Sequence, residues 1–156
     1  MPKAQEARPK AYGIQKLRET WVVKESVRRS MQSNRSTDTK PELTIRKALW
    51  EAGLRGYRKN VRRLPGSPDV VFGPKRLAVF IHGCYWHRCP KCTADIHPKT
   101  NSRYWHAKFE RNVARDKSNR SALRRLGYSV MVVWECDLKR SSDKVVARVR
   151  RKLDSL

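Results

Sequence analysis

Eleven residues, from His82 to Cys92, constrain the fold of this chain more than any other part of its sequence. They contain three of the four cysteines, two of the four histidines and two large aromatic residues. The fourth cysteine, Cys136, follows a second run of strand-forming residues that ends at Trp134. A fold that uses these cysteines together has to bring two distant strand ends to the same place.

The cysteine pattern indicates a structural metal site. We predict four zinc ligands, namely Cys84, Cys89, Cys92 and Cys136. Four thiolates complete a tetrahedral shell, so this zinc would stabilise the fold and leave no position for a reacting group. The C-x-x-C pair at 89–92 also occurs in redox proteins, so a redox pair and buried unreactive thiols stay open. His97 could replace one thiol as a ligand.

The charge of the chain points to a nucleic-acid partner. There are 37 lysines and arginines against 14 acidic residues, and the formal net charge is +23. This excess favours binding to a polyanion, either nucleic acid or an anionic membrane. Apolar runs such as 130–134 are far shorter than the ~20 residues that span a bilayer, and the first thirty residues lack a secretory signal. We therefore expect no membrane association, reduced thiols and a cytoplasmic, nucleoid-associated location.

The 156 residues suffice for one domain with one core. Residues 1–24 are basic and aperiodic, which predicts a flexible arm, and 25–156 form the predicted domain. Apolar periodicity predicts helices over about 40–52 and 103–126, a last helix capped by Ser142 or Asp143, and strands over about 57–61, 69–72, 77–81 and 128–134. This order predicts an α/β fold with a mixed central sheet flanked by helices. Residues 115–120 lack apolar spacing, and we expect them to face solvent.

A candidate catalytic site begins at Asp69. Pro68 and Asp69 precede a hairpin strand, as at the start of the PD-(D/E)xK nuclease pattern, in which carboxylates hold Mg²⁺. The next strand lacks the Glu-x-Lys of that pattern, and His82 and His87 follow it instead. Histidine is a general acid or base near neutral pH, so one carboxylate and two histidines could replace the missing residues on Mg²⁺ or Mn²⁺. A simple Pro-Asp turn is the alternative.

Two aromatic residues, Tyr85 and Trp86, lie between the two histidines. Aromatic side chains usually belong to a core, and that interpretation stays open. In a basic protein with a nuclease-like site they could instead insert between base pairs and unstack them.

These residues resemble those of the very short patch repair (Vsr-type) DNA mismatch endonucleases, and the likeness covers about residues 28–139. The matching segments are RRSMQS at 28–33, TDT at 37–39 with Glu42, LPGSPD at 64–69, VFIHGCYWH at 79–87, YW at 104–105, NVARD at 112–116 and VWEC at 133–136. Three positions depart from the family pattern: Ile81 stands where the family often has threonine, Cys89 stands where a histidine would, and Cys92 falls one residue later than its counterpart.

The resemblance implies a restriction-endonuclease-like (PD-(D/E)xK) core with a structural zinc and a catalytic Mg²⁺. It also implies that the enzyme nicks duplex DNA 5′ of the thymine in T:G mismatches, which arise when 5-methylcytosine deaminates. By position, Asp69 and the backbone carbonyl of Ile81 resemble the Mg²⁺ ligands. The remaining roles carried over are those of His87 as catalytic histidine, His82 as its support, Glu42 as the orienting glutamate, and Tyr85, Trp86 and Trp105 as the aromatic wedge.

We expect a monomer that hands the nicked DNA to downstream repair proteins. Three other functions stay open. A related homing or restriction-linked nuclease would have another target. A non-catalytic zinc DNA-binding module would have no need for Asp69, His82 and His87 together. A structural RNA-binding protein is favoured only by the charge.

Overall fold

The computed structural model of the chain describes residues 37–93 and 98–156. The predicted arm over 1–24, the first matching segment at 28–33 and the alternative zinc ligand His97 lie outside these residues.

The first helix among the described residues, α1, covers Lys40–Glu51 as predicted. Pro41 lies in its first turn, where the missing N–H of proline costs no hydrogen bond. Glu42 also lies in this turn, where the helix dipole favours a carboxylate. Ile45 and Leu49 are fully buried, so the helix packs one apolar face onto the sheet. Gly53 then ends the helix with a φ of 75°, a conformation that favours glycine.

The sheet contains four strands: β1 (Arg58–Lys59), β2 (Val70–Phe72), β3 (Leu77–His82) and β4 (Ser129–Trp134). Their order is β1-β2-β3-β4. The first two pairings are antiparallel and the last, between β3 and β4, is parallel. The predicted mixed sheet is therefore confirmed, although β1 is shorter than its apolar pattern indicates.

Within the described part of the chain, four helices follow β3: α2 (Cys84–His87), α3 (Ser102–Arg125), α4 (Glu135–Arg140) and α5 (Ser142–Asp154). The sequence predicts α3 and α5 but neither α2 nor α4, because four and six residues are too few to display helical periodicity. The N-cap of α5 is Ser141, whose Oγ accepts a hydrogen bond from the Lys144 N–H at 3.3 Å.

Alternation along β3 divides the interior into two cores. Leu77, Val79 and Ile81 join the larger core, to which α1, α4 and α5 contribute. Ala78 and Phe80 join a smaller core with Leu123 of α3. Because side chains alternate along a strand, the next residue, His82, projects towards the α3 side.

Parallel pairing aligns the ends of β3 and β4, with His82 opposite Trp134. Cys84 begins α2 just after the first strand end, and Cys136 lies in α4 just after the second. The topology thus brings the two cysteine-bearing segments to one edge of the sheet. Among the described residues, no helix is both long and apolar enough to cross a membrane.

Candidate active site and cysteine cluster

The four predicted zinc ligands lie together. Their sulfur atoms are all within 4.8 Å of one another, and Sγ of Cys89 is 3.8 Å from Sγ of Cys136. A tetrahedral ion with Zn–S bonds of about 2.3 Å separates its sulfurs by about 3.8 Å. All four cysteines are free thiols. The spacing therefore fits a tetrahedral metal ion and excludes a disulfide at this separation.

Other contacts hold the cluster segments in place. The Cys136 N–H donates to Sγ of Cys84 at 3.4 Å, which joins the start of α4 to the start of α2. Lys91, inside the C-x-x-C turn, forms an ion pair with Asp137 at 2.6 Å. The segment that contains α2 is thus tied to α4 at both of its ends.

Asp69 lies just before β2 and is the half-buried carboxylate of the candidate site. Its Oδ2 accepts a hydrogen bond from the Ile81 N–H at 2.7 Å, across the β2–β3 hairpin. Burial raises the pKa of Asp69 to about 6, the charge of Glu42 acts in the same direction, and the hydrogen bond from Ile81 opposes them. A divalent cation would relieve this repulsion, so the oxygen donors fit Mg²⁺.

Glu42 reaches the site from α1 and is only 5% exposed. Its carboxylate accepts hydrogen bonds from the Thr39 hydroxyl at 2.7 Å and the Asp38 N–H at 3.0 Å. Arg46 lies 3.7 Å from the same carboxylate. The start of α1 therefore holds the Glu42 carboxylate in a fixed position, from which its charge acts on Asp69.

The two predicted histidines are stacked. The rings of His82 and His87 are 3.9 Å apart between centroids and 14° from parallel. Trp134 packs edge-on against His82 at 5.3 Å, and His82 is only 6% exposed. Burial, followed by the charge of His87, lowers the pKa of His82 to about 4, so this ring is neutral near pH 7.

Asp116, in the middle of α3, completes the group. Its Oδ2 lies 2.5 Å from Nδ1 of His87. Burial acts to raise the pKa of Asp116, but the hydrogen bond to His87 and the charges of His87, His82 and Arg115 outweigh it and lower the pKa. An ionised carboxylate here orients the His87 ring and leaves Nε2 for another partner.

The ligand atoms of His82, His87 and Asp116 also lie within 4.8 Å of one another, a spacing that a metal ion could share. The lone pairs of stacked, nearly parallel imidazoles lie in their ring planes and do not converge on one ion. Asp116 already engages Nδ1 of His87. The arrangement is therefore better suited to proton transfer than to joint coordination of one ion.

The three predicted wedge residues form one aromatic cluster. Tyr85 lies 5.1 Å from Trp86 and 6.4 Å from Trp105, and Trp86 lies 5.9 Å from Trp105, all between ring centroids. All three are half-buried. Lys108 places its ammonium 5.3 Å from the Trp86 ring and 5.2 Å from the Trp105 ring. A cation beside partly accessible aromatic rings is a suitable surface for stacked bases and phosphates.

The chain is similar to known DNA endonucleases. The family described as DNA mismatch endonuclease Vsr matches residues 21–93. The type II nicking enzyme V.NmeAIP of Neisseria meningitidis is 43% identical over 115 residues, which cover 74% of this chain and 79% of that protein. The type II nicking enzyme V.XorIIP of Xanthomonas oryzae is 42% identical over 124 residues, which cover 80% and 89%. This chain belongs to the Vsr family.

A further Vsr-family relative is the DNA mismatch endonuclease Vsr of Escherichia coli, which is 36% identical over 111 residues, covering 71% of this chain and 70% of that protein. The prediction of a DNA endonuclease is thereby confirmed. Vsr-family membership implies a restriction-endonuclease-like fold and a metal-dependent reaction on DNA, and the mixed sheet between helices agrees with that fold.

In this Vsr-family enzyme the structure brings the predicted residues Asp69, His82, His87 and Glu42 close together. Apolar periodicity did not predict that Asp116 lies with them. The expectation that 115–120 faces solvent is wrong for Asp116, Asn119 and Arg120, which are half-buried. The sequence contains a signal that could have identified Asp116, because Asn112 and Asp116 lie at positions i and i+4 of the NVARD segment, which resembles the family. Both face α2, and Asn112 donates to the Trp86 carbonyl at 3.1 Å.

Proposed function

We propose that this chain is a strand-specific endonuclease that nicks duplex DNA on the 5′ side of the thymine in a T:G mismatch, acting as a monomer ahead of downstream repair proteins. The observation that carries the proposal is the group formed by Asp69, His82, His87 and Asp116 beside an aromatic cluster, in a chain with a net charge of +23. The E. coli relative is named a DNA mismatch endonuclease.

Asp69 and the main-chain carbonyl of Ile81 would hold Mg²⁺, with Glu42 positioned behind them. When bound, Mg²⁺ supplies charge neutralisation at the phosphate and lowers the pKa of a coordinated water. Asp69 accepts the Ile81 N–H, which fixes the direction of its carboxylate relative to the end of β3. Glu42 has its own donors in Thr39 and Asp38, so it does not compete for that N–H.

His87 would transfer the proton at the phosphate through Nε2. Asp116 accepts the Nδ1 hydrogen of His87, and this sets the tautomer in which Nε2 is free to accept. His82 stays neutral because of its low pKa, so it supports the His87 ring by stacking without adding a positive charge. The stack keeps water away from one face of His87.

Tyr85, Trp86 and Trp105 would insert beside the mismatch. A T:G wobble pair is unstacked more easily than a matched pair, so a wedge selects it by its deformability. Tyr85 and Trp86 belong to α2, as does His87, so insertion of the wedge and placement of the histidine are coupled. Basic residues would contact the DNA backbone and make the affinity strongly salt-dependent.

Zinc would occupy the cysteine cluster with Cys84, Cys89, Cys92 and Cys136 as ligands. Cys84 begins α2, Cys89 and Cys92 follow it, and Cys136 lies in α4. The ion would therefore stabilise the segment that carries both the histidine and the wedge. Zinc analysis of protein that has never met a chelator should give about one ion per chain. Clearly less than one would refute the assignment.

A second candidate is a nicking enzyme with a different target, since V.NmeAIP and V.XorIIP are named type II nicking enzymes. The test uses labelled duplexes with a T:G, a U:G or a matched pair, Mg²⁺, wild type, Asp69→Ala and His87→Ala. The exposed Asp154→Ala serves as a control. We expect a nick on the T:G strand only, lost in both site variants. Equal cutting of matched DNA would favour the second candidate, and no nick on any mismatch would exclude the first.

A further inference from the structure

Arg120 lies on α3 one turn after Asp116 and is half-buried. Its Nε donates a hydrogen bond to the main-chain carbonyl of Asp116 at 3.3 Å. Helical side chains lean towards the N-terminus of their helix, so this guanidinium lies over the turn that carries Asp116. Because the bond goes to the carbonyl, the Asp116 carboxylate is left for His87.

The positive charge of Arg120 reaches His82. Burial and the charge of His87 are the main causes that lower the pKa of His82, and the charge of Arg120 contributes in the same direction. Arg120 contacts the main chain of Asp116, and the Asp116 carboxylate contacts His87, so Arg120 lies next to the candidate site on α3.

Arg120 differs from the partly buried Arg46 and Arg148 because no carboxylate neutralises it. Arg46 pairs with Asp38, and Arg148 pairs with Asp137. Across 37–93 and 98–156, Arg120 forms no ion pair within 4.0 Å, and its single hydrogen bond uses Nε. A guanidinium whose terminal amino groups have no protein partner at such a site is suited to an anionic ligand.

We propose that Arg120 binds the phosphate that is cut, with its terminal amino groups donating to the non-bridging oxygens. This proposal rests on the proposed nuclease site. During hydrolysis negative charge grows on those oxygens, so a fixed cation binds the transition state more strongly than the ground state. Arg120 forms no covalent bond and gives up no proton. It complements Asp69 and His87, neither of which brings a permanent positive charge.

The experiment compares four variants in single-turnover nicking at saturating enzyme: Arg120→Ala, Arg120→Lys, Arg120→Gln and the control Arg124→Ala. Arg124 is an exposed arginine one turn further along α3, so its removal changes the net charge equally. We expect the rate to fall on the order of 10²-fold for Arg120→Ala and to stay unchanged for Arg124→Ala. Thermal melting of each variant checks the fold.

The lysine and glutamine variants separate phosphate binding from a structural role. Lysine keeps the charge, whereas glutamine keeps only a neutral donor for the Asp116 carbonyl. Activity in the order Arg, Lys, Gln supports the proposal. Glutamine as active as lysine, or equal losses at positions 120 and 124, would overturn it. If the wild type cuts matched DNA instead of T:G, the target proposal fails while the Arg120 comparison proceeds on the duplex that is cut.

Discussion

The cysteine cluster and the candidate active site share one short segment of the chain, but the electrostatics of their ionisable groups differ. In the cluster the four sulfurs lie at the spacing of a closed tetrahedral shell, and Cys89 is fully buried. In the active site burial raises the pKa of Asp69 to about 6 and lowers the pKa of His82 to about 4, so both resist ionisation. The cluster is suited to a structural role, and the candidate active site retains unfavourable electrostatics that a substrate or cation can relieve.

Among the variants of these two regions, Cys89→Ser should have the largest effect on stability. Loss of one sulfur from a structural tetrahedral site should remove the metal and destabilise the fold by about 5 kcal/mol or more. Zinc content and the thermal midpoint measure it. Lys91→Ala is the matched control in the same turn, where the exposed pair with Asp137 should contribute little to stability. Unchanged metal content and melting in Cys89→Ser would mean that the cluster is not a metal site.

Asp69→Asn should have the opposite profile, with lost activity and an intact fold. Asparagine keeps an oxygen for the Ile81 N–H but lacks the charge that would hold Mg²⁺. Several kcal/mol of lost charge stabilisation correspond to about 10³-fold in the single-turnover nicking rate. Retention of the rate within tenfold would remove Asp69 from the proposed mechanism.

Asp116→Asn tests the residue that periodicity placed in solvent. The amide can donate to Nδ1 of His87 and so stabilise the wrong tautomer, which should lower the nicking rate at pH 7 on the order of 10²-fold. Glu110→Gln, an exposed acid on the same helix, is the control for the change in charge. Equal rates for both variants would assign Asp116 a surface role.

The unfavourable charge at Asp69 can be measured without substrate. Its pKa is raised in the folded protein by burial and by Glu42, while the hydrogen bond from the Ile81 N–H partly opposes this, so the folded state holds the proton more tightly. The contribution of Asp69 to stability is therefore present at low pH and is lost as pH rises from about 4 to about 6. In urea unfolding without divalent cations, Asp69→Asn should gain up to about 3 kcal/mol over wild type by pH 7. A difference that is constant from pH 4.5 to 7.5 would contradict a raised pKa.

Gly66→Ala should give the smallest effect, in the turn that leads to Asp69. Gly66 has a φ of 75°, and an added Cβ would lie 2.7–2.9 Å from atoms of the Asn119 side chain on α3. At Gly56, which has a φ of 81°, an added Cβ would have no atom within 4 Å, so Gly56→Ala measures the backbone strain alone. We expect about 2 kcal/mol of destabilisation at Gly66 and about 1 kcal/mol at Gly56. Equal values would mean that α3 does not constrain the turn.

Local patterns account for most of the secondary structure. The i, i+3, i+4 spacing of Ile45, Ala48 and Leu49 predicts α1, and the apolar run over 77–81 predicts β3, because both elements bury a continuous apolar surface. The helices α2 and α4 could not be predicted in this way. They are too short for a period, and the alignment of two strand ends creates their surroundings.

The sequence by itself determined the elements, the strong positive charge and the residue types for a metal cluster and for acid–base chemistry. The tertiary structure decided that Asp116 contacts His87, that Arg120 is half-buried, that Glu42 lies close enough to Asp69 to raise its pKa, and that the two histidines stack. The physical reason lies in α3, which returns along one face of the sheet between β3 and β4. A polar helix face that packs against a polar site has the same periodicity as one in water, so only the position of its neighbours distinguishes the two.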